Sequence, residues 1–361
     1  MRKYLLFFCL TSFSSVYGQI PTGYYTPAAN LNGQQLRIAL HNIIKAHTVQ
    51  SYNTLWTSFE TTDKKANGKV WDIYSDVPGG TPPYQYSFGS DQCGSGGYDS
   101  EGDCYNREHS WPRSYFNEQA PMNSDLFHIY PTDGMVNGKR DNDPYGLVDT
   151  TASFWQSENG SRSGANRYPG YSGTVFEPLD SFKGDLARSY FYMSTRYFSE
   201  DSGWQIWPMA NGAELKSWTV AMLLEWHHMD PVSPKEIFRN NAVYAQQNNR
   251  NPFIDHPEFA DCIWGSSACG TVGITPVEAV DHIRLYPNPA TEKVVIELPD
   301  IGWHGKAYLD VMSVQGTYLF HKDLPAGQHN ITLDLQGFPK GIYWVRFAAA
   351  QRTGYRKLVI R

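Results

Sequence analysis

The sequence predicts an α+β protein: a mainly helical domain built around a strand–strand–helix unit, followed by a small all-β sandwich. Three observations carry this expectation. Apolar residues recur at helical spacing through residues 180–197, and again at Leu215, Trp218, Met222 and Trp226. Near the middle, short strand-like runs lead into a helix start at Thr132 or Asp133. After Cys269 the pattern turns to short alternating runs separated by Gly, Pro or Asn, the spacing of a small β-sandwich. With 361 residues, 41% hydrophobic and 15% aromatic, the chain can build one large core and a second, smaller one.

In chain order, Arg2 and Lys3 precede the apolar run Tyr4 to Leu10, and the small residue Gly18 precedes Gln19. This reads as a signal peptide over residues 1–18 and implies export. No other apolar run is long enough to cross a bilayer, so the mature chain is expected to have no transmembrane segment. The main domain is expected over 19–269, a linker over 270–280 and the β-domain over 281–361. Residues 31–60 read as one helix, with Leu36, Leu40, Ile43 and Ile44 facing the core. Val70 to Tyr74 reads as a strand leading into a Pro- and Gly-containing loop.

Once Cys9 leaves with the signal peptide, Cys93, Cys104, Cys262 and Cys269 remain. An even count in an exported chain favours disulfides. Three connectivities are possible, and nearest-neighbour pairing would join Cys93 to Cys104 and Cys262 to Cys269. A structural zinc site is disfavoured by the lack of any Cys-x₂-Cys pair.

Residues 104–146 hold the candidate chemistry. Glu108 and His109 are adjacent, and Asn137 follows 28 residues after His109. A carboxylate and a carboxamide oxygen suit a hydrated Mg²⁺, with Mn²⁺ or Ca²⁺ as alternatives. A neutral imidazole beside such an ion can take a proton from attacking water. Neighbours on a regular strand point to opposite faces, so Glu108 and His109 can serve one site only at a strand end or bulge. The run Asp125 to Tyr130 reads as a strand ended by Pro131, and Gly138 as a helix stop. Taken alone, Arg107-Glu108-His109 is by composition more commonly a surface ion-pairing triplet, and Asn137-Gly138 an ordinary turn.

Charge bears on substrate. Residues 20–275 carry 18 Lys/Arg against 28 Asp/Glu, a net of −10, where a general nucleic-acid binder would be basic. Any groove must then be a local patch; candidates are Arg162, Arg167, Arg188 and Arg196, with Tyr168, Tyr171 and Tyr190 to stack bases. His227-His228 lacks the His-Glu-x-x-His spacing of a zinc site, and Asp255-His256 reads as structural. Asp230-Pro231 ends one helix and Ser233 starts the next.

The segments Asn106-Arg107-Glu108-His109-Ser110-Trp111-Pro112, Asp125-Leu126-Phe127-His128-Ile129-Tyr130-Pro131-Thr132-Asp133-Gly134 and Val136-Asn137-Gly138-Lys139-Arg140 resemble the bacterial endonuclease I family of His-Me finger (ββα-metal) nucleases. The likeness extends more loosely over residues 30–265. It implies a metal-dependent, sequence-nonspecific endonuclease cleaving DNA, and often RNA, to 5′-phosphate ends. By position it makes His109 the general base, oriented through its other ring nitrogen by a backbone carbonyl, and Glu108 and Asn137 the metal ligands. Arg140 or Arg113 would neutralise charge at the scissile phosphate, and Arg107 and Arg113 would bind substrate. Phe127 stands where a common family form has histidine, and His128 reads as a packing residue.

Leu285-Tyr286-Pro287-Asn288-Pro289-Ala290-Thr291, Lys340-Gly341-Ile342-Tyr343-Trp344-Val345 and Lys357-Leu358-Val359-Ile360 resemble the type IX secretion sorting domain. That resemblance implies transfer through the periplasm to the type IX machinery and a secreted or cell-surface product, expected to be a monomer. Two rival functions remain open: another secreted phosphodiesterase, and a catalytically inactive surface binding protein.

Overall fold

The computed structural model describes residues 20–265, 278–279, 283–298, 307–313, 318–325, 327–349 and 352–361. The expected signal peptide over 1–18, Cys269 and most of the expected linker over 270–280 lie outside them.

The first core, formed between Tyr25 and Cys262, is organised on helices. These are α1 (Gly33–Ile44), α2 (Leu55–Thr62), α3 (Gly134–Arg140), α4 (Asp180–Arg196), α5 (Ser217–Met229), α6 (Pro234–Gln247), α7 (Pro252–Asp255) and α8 (Glu258–Trp264). The expected helix over 31–60 is instead two, α1 and α2. The segment between them is drawn to α6, with Thr48 N donating to Gln247 O at 2.7 Å and Gln50 Nε2 to Gln246 O at 2.9 Å. The Ser233 start of α6 is a full capping box with Glu236, as the sequence pattern indicates.

Helix α4 is buried all round from Phe182 to Arg196, and its charged side chains therefore need partners inside the protein. Lys183 meets Glu177 at 2.8 Å, and Arg196 meets Glu200 at 2.9 Å. Arg188 forks onto both oxygens of Glu236 at 2.5 and 2.8 Å. Arg188 and Arg196 are thus core residues and not groove cations, and Tyr190 is likewise buried, its hydroxyl donating to Ser110 O at 2.6 Å. Of the remaining groove candidates, Tyr168 bonds Glu225 and Tyr171 stacks on Trp218. Arg162 is partly buried and Arg167 is exposed.

Three small antiparallel sheets belong to this core. They are β1 (Tyr105–His109) with β2 (Ile129–Asp133), then β3 (Phe154–Gln156), β4 (Arg162–Ala165) and β5 (Thr174–Glu177), and a hairpin of β6 (Ala210–Asn211) and β7 (Glu214–Leu215). Glu214 and Leu215 belong to that hairpin, so α5 starts later than its apolar spacing suggests. The strand expected at Val70–Tyr74 is not formed. Asp72 accepts from Tyr74 N and Ser75 N at 2.9 and 3.0 Å, a local bond that turns the chain.

The C-terminal region is all β: β8 (Glu278–Ala279), β9 (Arg284–Tyr286), β10 (Lys293–Glu297), β11 (Ala307–Ser313), β12 (Tyr318–Leu324), β13 (Asn330–Asp334), β14 (Gly341–Ala349) and β15 (Arg352–Ile360). They form sheets of order β13-β10-β9 and β12-β11-β14-β15-β8. Val294, Ile296 and Leu333 from one sheet share a core with Leu309, Val345, Phe347 and Leu358 from the other. The alternating runs of the sequence, over 294–298, 308–314, 331–335, 341–347 and 355–360, omit β8, β9 and β12, and the Phe320-His321-Lys322-Asp323 run of β12 is mostly exposed.

Candidate active site

Strands β1 and β2 pair with Glu108 opposite Tyr130 and His109 opposite Ile129. Strand β2 runs through Pro131 rather than stopping before it. Ser110 N donates to His128 O at 2.9 Å, so hydrogen-bonded pairs fall at alternate positions and Pro131, opposite Arg107, occupies one that needs no donor. Its own carbonyl faces outward and accepts from Ile73 N at 3.1 Å.

Helix α3 follows β2 without a loop. Asp133 is its N-cap, accepting from Val136 N at 2.8 Å. The same residue is anchored from outside the unit, because its N–H donates to buried Asp72 at 2.7 Å while Thr132 Oγ1 donates there at 2.6 Å. Gly138 does not end the helix, which runs on to Arg140. Its lack of a side chain instead admits Tyr98, whose hydroxyl would overlap a Cβ there; at Gly134 a Cβ would lie 2.7 Å from Cys93 Sγ. The loop closed by the Cys93–Cys104 disulfide therefore lies directly on the helix that carries Asn137. Cys262 is also disulfide-bonded, while Cys269 is outside the described residues.

His109 is the last residue of β1, the strand-end position that adjacent side chains need if they are to serve one site. Its ring is buried, stacks on Tyr52 at 6.0 Å and lies 5.5 Å from the His128 ring. Nε2 is 3.3 Å from Asn123 O, so this nitrogen carries the hydrogen and the lone pair of the neutral ring is at Nδ1. Burial first, then His128, Arg113 and Arg107, hold the imidazole well below its ordinary range. His128 is wholly buried, donates to Met122 O at 2.7 Å and is a packing residue beneath His109.

Glu108 is 2% exposed. Tyr74 Oη donates to its Oε1 at 2.7 Å, and Arg140 Nη1 meets the same oxygen at 3.0 Å. Both contacts converge on one oxygen, leaving Oε2 with no hydrogen bond among the described residues. Burial raises the carboxyl above its ordinary range against the pull of Arg140 and Tyr74. Asn137 is half-buried, and its Nδ2 donates to Arg107 O at 3.4 Å, which turns its amide oxygen free.

Arg140 corrects the expectation placed on it. It is 1% exposed, and its other bonds go to His109 O at 3.0 Å and Ser110 O at 2.7 Å. Burial is the largest single influence and works against its charge, but Glu108 together with the Tyr145, Tyr74 and Tyr190 hydroxyls more than offsets it and holds the guanidinium protonated. A side chain enclosed in this way braces Glu108 and cannot reach a phosphate. Arg113, with 46% of its side chain exposed and Glu118 at 3.5 Å, lies at the surface. Arg107 is half-buried against Tyr52 and Trp56. The backbone carbonyl expected to orient His109 is that of Asn123, while sequence reasoning missed Tyr52 and Tyr74, neither of which has a local motif to flag it. Among the described residues no three His, Cys, Asp or Glu side chains group at metal-ligand spacing, so a site here would rest on few protein donors.

Residues 32–258 match the Endonuclease I family, and residues 284–361 match the secretion system C-terminal sorting domain. The chain is 36% identical over 250 residues to an extracellular ribonuclease of Bacillus amyloliquefaciens, covering 67% of this chain and 78% of that protein. It is 35% identical, with the same coverage, to an extracellular ribonuclease of Bacillus subtilis. An Endonuclease-1 of Buchnera aphidicola is 25% identical over 133 residues, covering 37% of this chain and 45% of that protein. Among the described residues no helix is long and apolar enough to cross a membrane. The chain belongs to the endonuclease I family, as a secreted nuclease that ends in a sorting domain.

Proposed function

We propose that this chain is a metal-dependent, sequence-nonspecific endonuclease that hydrolyses phosphodiester bonds of DNA and RNA, leaving 5′-phosphate ends. The β1–β2–α3 unit is its ββα-metal motif, and its C-terminal domain engages the type IX machinery. The observation that carries the reading is His109 at the end of β1: neutral, fixed through Nε2 to Asn123 O, with Nδ1 unbonded, while Glu108 Oε2 and the Asn137 amide oxygen accept no hydrogen bond among the described residues.

Those oxygens, Glu108 Oε2 and the Asn137 amide oxygen, are hard donors and fit Mg²⁺, with Mn²⁺ or Ca²⁺ as alternatives. A bound ion supplies Lewis-acid stabilisation of charge at phosphorus and on the leaving oxygen. The chain's own residues do the rest. Arg140 and Tyr74 hold Glu108 by Oε1, so that its other oxygen is presented in one orientation. His109 accepts the proton of the attacking water at Nδ1, and its Nε2–H bond keeps the tautomer that makes this possible. Arg113, on the exposed side, is placed to meet substrate phosphate.

The Bacillus relatives are named for RNA and the Buchnera protein is not, so both polymers belong in the test. Supercoiled plasmid and total RNA are incubated with the mature protein in Mg²⁺ and in EDTA, beside His109→Ala. Metal-dependent cleavage that falls by roughly 10²- to 10⁴-fold in the folded variant is expected. Cleavage unchanged by His109→Ala would overturn the proposal.

A further inference from the structure

The arginines of the nuclease region that lie deep in the protein share one habit. Arg37, Arg140, Arg188, Arg196, Arg239 and Arg250 each meet a carboxylate, at 2.5, 3.0, 2.5, 2.9, 2.8 and 2.6 Å. Arg107 departs from it. Its guanidinium carbon lies 3.8 Å from the centre of the Tyr52 ring and 4.4 Å from that of Trp56. Nη1 donates to Tyr52 O at 3.1 Å. Nε is buried with no hydrogen-bond partner, and among the described residues Nη2 has none either. The charged or ionisable groups that act on it are Tyr52 and Arg113, with no carboxylate among them.

A guanidinium fixed between aromatic faces, half out of water and without a counter-charge is a costly arrangement unless an anion completes it. Its place on the strand says which anion. Arg107 and His109 are two residues apart on β1, about 6.8 Å along the strand and on one face of it. Tyr52 touches both, stacking on Arg107 and on the His109 ring. The carbonyl of Arg107 accepts from Asn137, so the clamp is also tied to the helix that faces the site.

Resting on the nuclease reading above, we propose that Arg107, held by Tyr52 and Trp56, is a preorganised clamp for a non-scissile phosphate of a polynucleotide, next to the bond that is cut. The clamp gives this net-acidic domain a purchase on polymers that a small diester cannot use, since a small diester has no second phosphate to offer. Tyr52 is a positioning residue for it.

The test is binding of labelled single-stranded and duplex oligonucleotides by the full mature chain carrying His109→Ala, without metal, across a salt series. Adding Arg107→Ala should weaken binding roughly tenfold and lower the slope of log affinity against log salt by about 0.7 for single strands and 0.9 for duplex. Arg107→Lys should keep the slope and lose affinity, because the ammonium carries the charge without the stacked fork. Tyr52→Leu should weaken binding while keeping the slope. Unchanged affinity and slope in Arg107→Ala, with only a fall in thermal stability, would make Arg107 a staple between α2 and β1 and overturn the clamp alone. A parent that binds neither polymer would overturn the clamp together with the nucleic-acid reading.

Discussion

Replacing Arg140 by methionine separates two accounts of this residue. The side chain is 1% exposed and makes three polar contacts: Glu108 Oε1 at 3.0 Å, His109 O at 3.0 Å and Ser110 O at 2.7 Å. Methionine fills much of the volume but leaves a buried carboxylate held by Tyr74 alone, beside the His109 carbonyl without its partner, while Ser110 O keeps the Tyr190 hydroxyl. Breaking a buried ion pair from one side costs about 3–5 kcal/mol, most of it the penalty on the group left behind. Against a typical total of about 5–15 kcal/mol this is a large fraction. Urea unfolding of the purified mature protein at neutral pH, followed by tryptophan fluorescence, should show the midpoint falling at an unchanged slope. A second effect follows at the site. Arg140 is the leading influence opposing the burial-driven rise of the Glu108 carboxyl, so its loss raises that carboxyl further and lets protons compete with metal. The Mg²⁺ concentration for half-maximal cleavage should rise, and rise more as pH falls. A variant that keeps its stability within about 0.5 kcal/mol and its metal requirement, yet loses turnover, would show that Arg140 acts on phosphate and refute the bracing role.

Three other outcomes are expected. Cys93→Ser with Cys104→Ser opens a loop of sequence separation 11 and should cost about 3 kcal/mol in unfolding free energy measured under non-reducing conditions. Gly134→Ala should destabilise by about 1–3 kcal/mol, since Cys93 Sγ is held by its disulfide and cannot retreat, whereas Gly138→Ala should be near neutral by the same unfolding assay because partly exposed Tyr98 can swing away. Burial lowers His128 and His227 to about 4. A histidine depressed on folding takes its proton first in the unfolded chain, so stability is lost as pH falls from about 6.5 toward 4, by roughly 2 kcal/mol per group at about pH 5. Unfolding at pH 7 and pH 5 should show this drop, and His227→Gln should remove one share of it.

The parts of the fold that were legible in the sequence obey local rules. Helix α4 and the Ser233–Glu236 capping box appear where periodicity and capping chemistry put them. Among the C-terminal strands β10, β11, β13, β14 and β15 follow alternation, whereas β8, β9 and β12 lie outside the alternating runs. Elsewhere local rules were overruled by partners far away in the chain. Val70 to Tyr74 looks like a strand, but Asp72 turns it and then anchors Thr132 and Asp133, some 60 residues on. Pro131 looks like a strand terminator, but it falls at the one kind of ladder position that asks for no donor.

The same division runs through the site. Sequence by itself determined its chemistry: an adjacent carboxylate and imidazole, an amide 28 residues later and a helix start just before it. Residue type sets donor hardness and proton affinity, and neither depends on the fold. Only the tertiary structure decided which charges are available. Arg140, Arg188 and Arg196 read like Arg107 in a one-dimensional string, but packing encloses them with carboxylates, whereas Arg107 is seated on two aromatic rings with donors unspent. Burial makes an unpaired charge expensive, and which partner reaches it is a question of three-dimensional neighbours that spacing along the chain does not encode.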